Sequence, residues 1–377
     1  MKNRTTWARV SAVMAALVLL VTAFGGCSKK SEEDTLVSGV VSGEYQYTRS
    51  EKTKTARISA YNGKEETLEI PKTLDNLPVV AVEANAFADN KTLKQVTLPP
   101  TVERVESGAF KKCTALTSVK LDDALTSIGD YAFSGCTALT SISIPNEVTE
   151  IGNNAFAECS TLQTIVLGDK ITTVGITAFY GTPWYASLTE EFVIIGDGVL
   201  IDYNGEETQV TIPKNVKHLT STFANDTMLF GVTLPEGMTA IDSNAFQGCT
   251  NLSRVEIPDS VTEIGAYAFA RCTSLAGIQL SEKITSIGAQ AFTGCIALRE
   301  ITIPSSVTVI PEKAFFGCTT LSRVAFSDTL TEIKGEAFSD CGAISVVAFS
   351  GSESQWKNVM IAAGNETLSN AILNCAA

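Results

Sequence analysis

Two runs of phenylalanine keep one interval through most of the chain. Phe87, Phe110, Phe133, Phe156 and Phe179 stand 23 residues apart, as do Phe223, Phe246, Phe269, Phe292, Phe315 and Phe338. A unit of this length cannot bury a core by itself, so neighbouring units must stack into a solenoid with one continuous interior. The length of 377 residues would otherwise suggest two or three ordinary domains. The repeat overrides that estimate.

The clearest unit is Cys136–Glu158, CTALTSISIPNEVTEIGNNAFAE. Its apolar places are Leu139, Ile142, Ile144, Val148, Ile151, Ala155 and Phe156. Ile142-x-Ile144 has the alternation of a strand with one face inward, and Pro145, which has no N–H to give a ladder, ends it. Val119/Leu121, Ile165/Leu167, Val255/Ile257, Ile278/Leu280 and Ile301/Ile303 repeat the pattern. Glu106, Asp242, Pro311 and Lys334 replace Gly152 in other units, so the turn there does not need positive φ and the glycine reads as a convenience. Alanine precedes every spine phenylalanine except Phe223, which follows Thr222, as expected for a tightly packed ring.

A period between 20 and 29 residues is that of leucine-rich repeats. The unit, Leu-x-x-Ile-x-Ile-Pro-x-x-Val-x-x-Ile-Gly-x-x-Ala-Phe-x-x-Cys, resembles the BspA-type leucine-rich repeats of bacterial surface proteins over roughly residues 68–349. The expected fold is a single curved right-handed solenoid, β-rich with short strands, an irregular or 3-10 convex side, and caps at both ends. The resemblance implies an exported adhesive or host-interacting protein.

Residues 1–26 have the parts of an export signal. Lys2, Arg4 and Arg9 precede an apolar run, Val10–Phe24, too short to favour a membrane span. The stretch Val21–Ser28 resembles a bacterial lipobox and makes Cys27 the expected lipidation site, with residues 27–43 as a polar tether. Removing the three cations of the signal takes the net charge from −13 to −16. That balance argues against nucleic acid as a partner.

The period is absent over residues 44–67, where Asn62-Gly63 carries a type I′ hairpin signal and the segment reads as an N-terminal cap. It is interrupted again at about residues 180–209, where apolar runs flank Gly196-Asp197-Gly198 as a hairpin. There Asp202–Thr208 echoes Tyr61–Thr67, so the same device opens both runs. Residues 350–377 do not restore the period and read as a C-terminal cap, with a short helix around Glu353–Val359 and Trp356 over the last rung.

Eight cysteines, Cys113, Cys136, Cys159, Cys249, Cys272, Cys295, Cys318 and Cys341, each follow the spine phenylalanine by three places. One thiol per rung makes a line that cannot converge tetrahedrally on zinc, and parallel side chains hold Cβ atoms wider than the roughly 3.5–4.5 Å a disulfide needs. Free buried thiols are expected. Asn90, Thr182 and Asp226 take the same place, which suits a small group touching backbone. The single histidine, His218, reads as a solvated residue, and no phosphate loop, metal cluster or cofactor motif is present. Glu147, Glu150 and Glu158 fall on polar places of the unit. No enzyme is expected.

Recognition falls to the outward strand positions Thr97, Lys120, Ser143, Val166, Thr233, Glu256, Gln279, Thr302 and Ala325, with Arg254, Arg299 and Arg323 adding charge. Trp184 and Tyr185 form an aromatic pair that serves either as a binding anchor or as packing of the hairpin on the solenoid flank. The implied partner is an extracellular or cell-surface protein. A glycan bound at Trp184 and Tyr185, or a rigid envelope spacer without a ligand, are the other readings, with membrane contact through the N-terminal lipid alone.

Overall fold

The computed structural model describes residues 34–376, which group into two compact units: 34–190 with 195–199, and 191–194 with 200–376. The expected signal, Cys27 and the first part of the tether lie outside the described residues. Each unit is a leucine-rich-repeat solenoid. In the first, Ser141–Ser143 lies parallel to Thr164–Val166 with Ile142 facing Ile165, a register of one repeat. The inward residue of each such pair is buried and its flanking residues are exposed. A second parallel ladder joins Arg104–Val105, Ser127–Ile128, Glu150–Ile151 and Thr173–Val174. Two-residue strands are too short to show alternation, so they leave no periodic signal in the sequence. In the second unit this ladder stops between Ser286–Ile287 and Val309–Ile310, where Pro311 lacks the N–H that Gly288 donates to Ile264.

The convex side is a stack of turns, the irregular form of the two expected. The residues two before and two after each spine phenylalanine have positive φ, as at Tyr131 (56°) and Gly135 (73°) around Phe133, except that Thr220, three before Phe223, takes the first place there. This alternation aims every second amide at the next rung. Tyr131, Phe133 and Gly135 donate to the carbonyls of Asn153, Ala155 and Ala157 at 2.8, 2.7 and 2.8 Å. Left-handed backbone costs a non-glycine residue about 1–2 kcal/mol. Burying the ring offsets this by about 2–3 kcal/mol.

Those rings form one stack in each unit. From Phe87 to Phe179 and from Phe223 to Phe338, successive centroids are 4.9–5.8 Å apart and the planes lie within 17° of parallel. The alanine before each ring is buried in rung after rung. Gly152 needs a correction. Its φ is not positive, but a Cβ there would run into the Asp130 backbone nitrogen, and one at Gly129 would lie 2.8 Å from that of Ser107. Glycine is required at these places by the approach of the preceding rung. Glu83 and Glu106 take the place in the first two rungs, where Arg57 serves them: its Nη2 donates to Glu106 at 2.6 Å, and its Nε lies 3.2 Å from Glu83 without a hydrogen-bond angle.

Both units open and close with the same devices. In the first, Leu36–Ser42, Tyr45–Ser50 and Ala56–Tyr61 form an antiparallel meander whose last strand pairs parallel with Leu77–Val82. The tether expected to reach residue 43 is thus corrected, because Leu36–Ser42 has strand partners. Asn62-Gly63 makes no hairpin. Neither residue has positive φ, and the following strand, Thr67–Glu69, pairs with Gln95–Thr97 instead. Gly63 is needed because the Tyr61 ring lies where its Cβ would be. That ring sits 5.1 Å from Tyr45 and 5.3 Å from Phe87, and so begins the stack. In the second unit, strands Phe192–Ile195 and Val199–Tyr203 pair. Tyr203 lies 5.0 Å from Phe192 and 5.5 Å from Phe223, and Gly205 lies against its ring.

Each unit ends with a tryptophan on a short helix, against the last spine ring in the first and against strand phenylalanines in the second. The helix Pro183–Ala186, capped by the Thr182 hydroxyl, sets Trp184 edge-on to Phe179 at 4.9 Å. The helix Glu353–Trp356, with a capping box of Ser352 and Gln355, sets Trp356 edge-on to Phe349 at 5.2 Å. The C-terminal segment is more than a plug, because Met360–Ile361 and Ile372–Cys375 extend both ladders. Asn365 there imitates a further rung. Its Oδ1 accepts the Phe338 N–H at 2.9 Å, and its Nδ2 donates to Lys334 and Ala362.

The eight thiols are free and buried, each donating to the phenylalanine carbonyl of the preceding rung, as Cys136 does to Phe110 at 3.2 Å. Burial pushes Cys113 and Cys295 up to about 12. At the cysteine-free rungs, Asn90 Oδ1 accepts from Leu93 N–H, and the Thr182 hydroxyl donates to Phe179.

Three outcomes are expected from this core. Phe156→Ala should lower unfolding free energy by about 3–5 kcal/mol in urea titrations, since the vacated site has rings on both sides. Asn365→Ala should cost about 1–3 kcal/mol and raise hydrogen exchange first at the Phe338 amide. In a Cys27→Ser chain, a thiol reagent should react quickly at Cys375 alone and reach the other eight only on unfolding.

Candidate functional site

The outward faces of the first-strand ladders carry side chains the core does not need. In the first unit Lys120, Ser143 and Val166 are exposed and Thr97 is half-buried. In the second, Glu256, Gln279 and Thr302 are exposed, and Thr233 and Ala325 are half-buried. Within that unit Arg254 Nη2 meets Glu256 at 2.5 Å, and Glu256 also accepts the Thr233 hydroxyl at 2.9 Å. Arg254 and Glu256 are therefore engaged with each other. Arg299 and Arg323 are exposed on adjacent rungs, with Glu300 in register with Arg323. Gln279 departs from expectation, because Ala276–Leu280 forms no strand and the first-strand ladder parts into Gln209–Thr211, Gly231–Thr233, Arg254–Glu256 on one side and Glu300–Thr302 onward on the other.

Trp184 is not presented as a platform. Its ring covers Phe179, and its backbone N–H donates to the Leu162 carbonyl at 2.9 Å. Tyr185, whose N–H bonds the Thr182 hydroxyl at 3.1 Å, is half-buried in the same turn. Trp184 closes the core of the first unit.

His218 is half-buried, which corrects the solvated reading. It neighbours Asp242, whose Oδ2 accepts the Leu219 N–H at 2.6 Å. Burial pushes the Asp242 carboxyl up against the opposing pull of that amide and of His218. Glu147 pairs with Lys170 at 2.7 Å on the surface. Among the described residues no group of three or more His, Cys, Asp or Glu side chains could hold a metal ion, and no helix is long and apolar enough to cross a membrane.

One feature escaped the sequence reading. Met228 and Phe230 are 50% and 47% exposed. With Thr208, Asn251, Ser253 and Ser274 they line a shallow cavity of about 380 Å³ beside the first-strand ladder of the second unit. The signal was available: Phe230 stands where other units have Lys94, Thr117, Thr140, Ser253 or Ala276. An aromatic side chain at a place otherwise small or polar serves no repeated packing need.

Comparison with solved structures finds repeat proteins of the same kind. A leucine-rich cell surface protein from Faecalibacterium prausnitzii A2-165 is 29% identical over 85% of this chain and 97% of its own, with a TM-score of 0.39. A leucine-rich repeat protein from T. pallidum is 24% identical over 69% of this chain and 90% of its own, with a TM-score of 0.37. The pneumococcal vaccine antigen PcpA is 18% identical over 92% of this chain and 98% of its own, with a TM-score of 0.43. No curated protein sequence matches the chain. The model of the BspA-type leucine-rich repeat region matches residues 80–199, 194–318 and 239–363, so the chain belongs to the BspA-type leucine-rich repeat family.

Proposed function

We propose that the chain is a non-enzymatic, exported surface protein, anchored through a lipid on Cys27, whose first-strand faces bind a protein outside the cell. The observation that carries this reading is the division of labour within each strand. At Ser118–Lys120, Ser141–Ser143 and Glu300–Thr302 the middle residue is buried, while its neighbours differ in charge and size from rung to rung. A surface whose spacing the core holds at about 4.8 Å, and whose side chains the core does not constrain, suits recognition through many contacts. The absence of an assembled nucleophile, metal cluster or phosphate loop from the sequence favours binding over catalysis. The net charge of −13 favours protein over nucleic acid. The engagement of Trp184 with Phe179 lowers the weight of a glycan platform at that place.

Cells carrying the wild-type chain should bind at least one extracellular-matrix protein saturably, and a deletion strain should not. A chain with Lys120→Glu, Arg299→Glu and Arg323→Glu should lose about tenfold or more in that binding while keeping its thermal midpoint. Cys27→Ser should move the protein from the detergent phase to the aqueous phase on Triton X-114 partitioning. Equal binding by wild-type and deletion cells across the panel would sink the adhesive reading and favour an envelope spacer.

A further inference from the structure

The cavity at Met228 and Phe230 reaches Asn251 and Ser253 on the next rung and Ser274 on the one after, which makes it a shallow trough across three rungs of the second unit. The place that Phe230 fills, just before the first strand, is taken on the next three rungs by Ser253, Ala276 and Arg299. The first two are small, and Gly277 beside Ala276 has open space where a Cβ would be. The floor is therefore low between a half-exposed aromatic ring and a guanidinium three rungs away, about 14 Å at the usual strand spacing. Its backbone is also unusual. Among the described residues no backbone hydrogen bond joins Ser253–Ile257 to Ala276–Leu280, whereas Arg299 N–H donates to Ala276 and Ser253 N–H to Phe230.

The far end is cationic. Arg254 is neutralised by Glu256. Arg299 and Arg323 are exposed, and neither makes an ion pair among the described residues. Glu300, in register with Arg323, reduces the local field without pairing with either. In a chain of net charge −13, two uncommitted guanidinium groups at the end of an apolar-headed trough are complementary to a carboxylate.

We propose that this trough binds an extended segment of a partner protein. An apolar side chain of that segment packs against Met228 and Phe230, and an acidic side chain about four residues along reaches Arg299, since an extended chain advances roughly 3.4 Å per residue. The ring and thioether supply desolvated contact area. The guanidinium supplies a charge-assisted bond and fixes the direction of the segment. This inference rests on the protein-binding reading above and gives it a ligand chemistry.

The test is fluorescence anisotropy of the chain with a labelled peptide, Gly-Ser-Leu-Ser-Thr-Ser-Glu-Ser-Gly. The controls are the same peptide with glutamine for its glutamate, and one with the leucine and glutamate adjacent. The first peptide should bind saturably, and both controls about tenfold or more weakly. Phe230→Ser and Arg299→Gln should each weaken the first peptide by about tenfold. Added salt should weaken binding to the wild type and not to Arg299→Gln. Ser253 already occupies the equivalent place one rung on, so Phe230→Ser should keep its circular dichroism and melting point. Failure of the peptide to saturate, or indifference to Phe230→Ser, overturns the proposal. Should the peptide fail while cells still bind a matrix protein through the strand face, the broader reading stands and the trough is excluded as its anchor.

Discussion

The stack of phenylalanine rings is the interaction on which each unit depends. Every rung makes its convex turn with left-handed residues, many of them without glycine's freedom: Tyr131, Asn154, Glu158, Tyr267, Arg271 and Gln290 all have positive φ. Such a turn is unfavourable in isolation. It persists because the ring it carries lies between two others, and because alternate amides reach the carbonyls of the next rung. The turn and the stack require each other. The thiol column follows from the same geometry, since the phenylalanine carbonyl points at the rung that follows and needs a small buried donor. Cys, with a weak S–H on a compact side chain, fills that need without demanding a second partner.

A stack held by nearest neighbours is vulnerable at its ends, where a ring has one exposed face and backbone groups lack partners. The first unit opens on Tyr61 and closes on Trp184; the second opens on Tyr203, and its last ring, Phe338, is met edge-on by Phe326, which in turn lies against Trp356. Tyrosine and tryptophan suit this position because each offers a ring to the stack and a polar group at its edge. Polar closure comes from side chains that stand in for a missing rung. Asn365 accepts the Phe338 N–H, and the Thr367 hydroxyl donates to the Phe338 carbonyl, a task cysteine performs elsewhere.

Most of this was legible in sequence because it repeats. The spacing of Phe133 and Phe156, the Ile142-x-Ile144 alternation and the thiol column each follow from a single period. What failed to show was of two kinds. Positions set by backbone geometry accept unrelated residues, so the left-handed places at Tyr131 and Gln290 carry no residue signature, and the constraint on Gly152 is the closeness of Asp130, which no φ-based argument from sequence contains. Local motifs also depend on a context that composition does not carry. Asn62-Gly63 has the composition of a hairpin turn, yet the glycine is there to clear the Tyr61 ring, and the chain passes on to a different ladder.

The same contrast separates the candidate sites. Trp184 attracts attention because tryptophan is rare and loops carry function, but the spine of the first unit ends at Phe179 and needs a cover, which explains the residue fully. Phe230 is a commoner residue at an inconspicuous place, and no recurring contact accounts for it. Its counterparts Thr140 and Ser253 show that the rung folds with a small polar side chain there. In a repeat, the other units supply the control for each position. A residue that departs from them without relieving a packing or capping need costs exposed apolar surface and gains nothing for the fold. Met228 and Phe230, adjoining a ladder that parts at Ala276–Leu280, meet that criterion, and the uncommitted cations at Arg299 and Arg323 extend it from an apolar spot to a surface with direction.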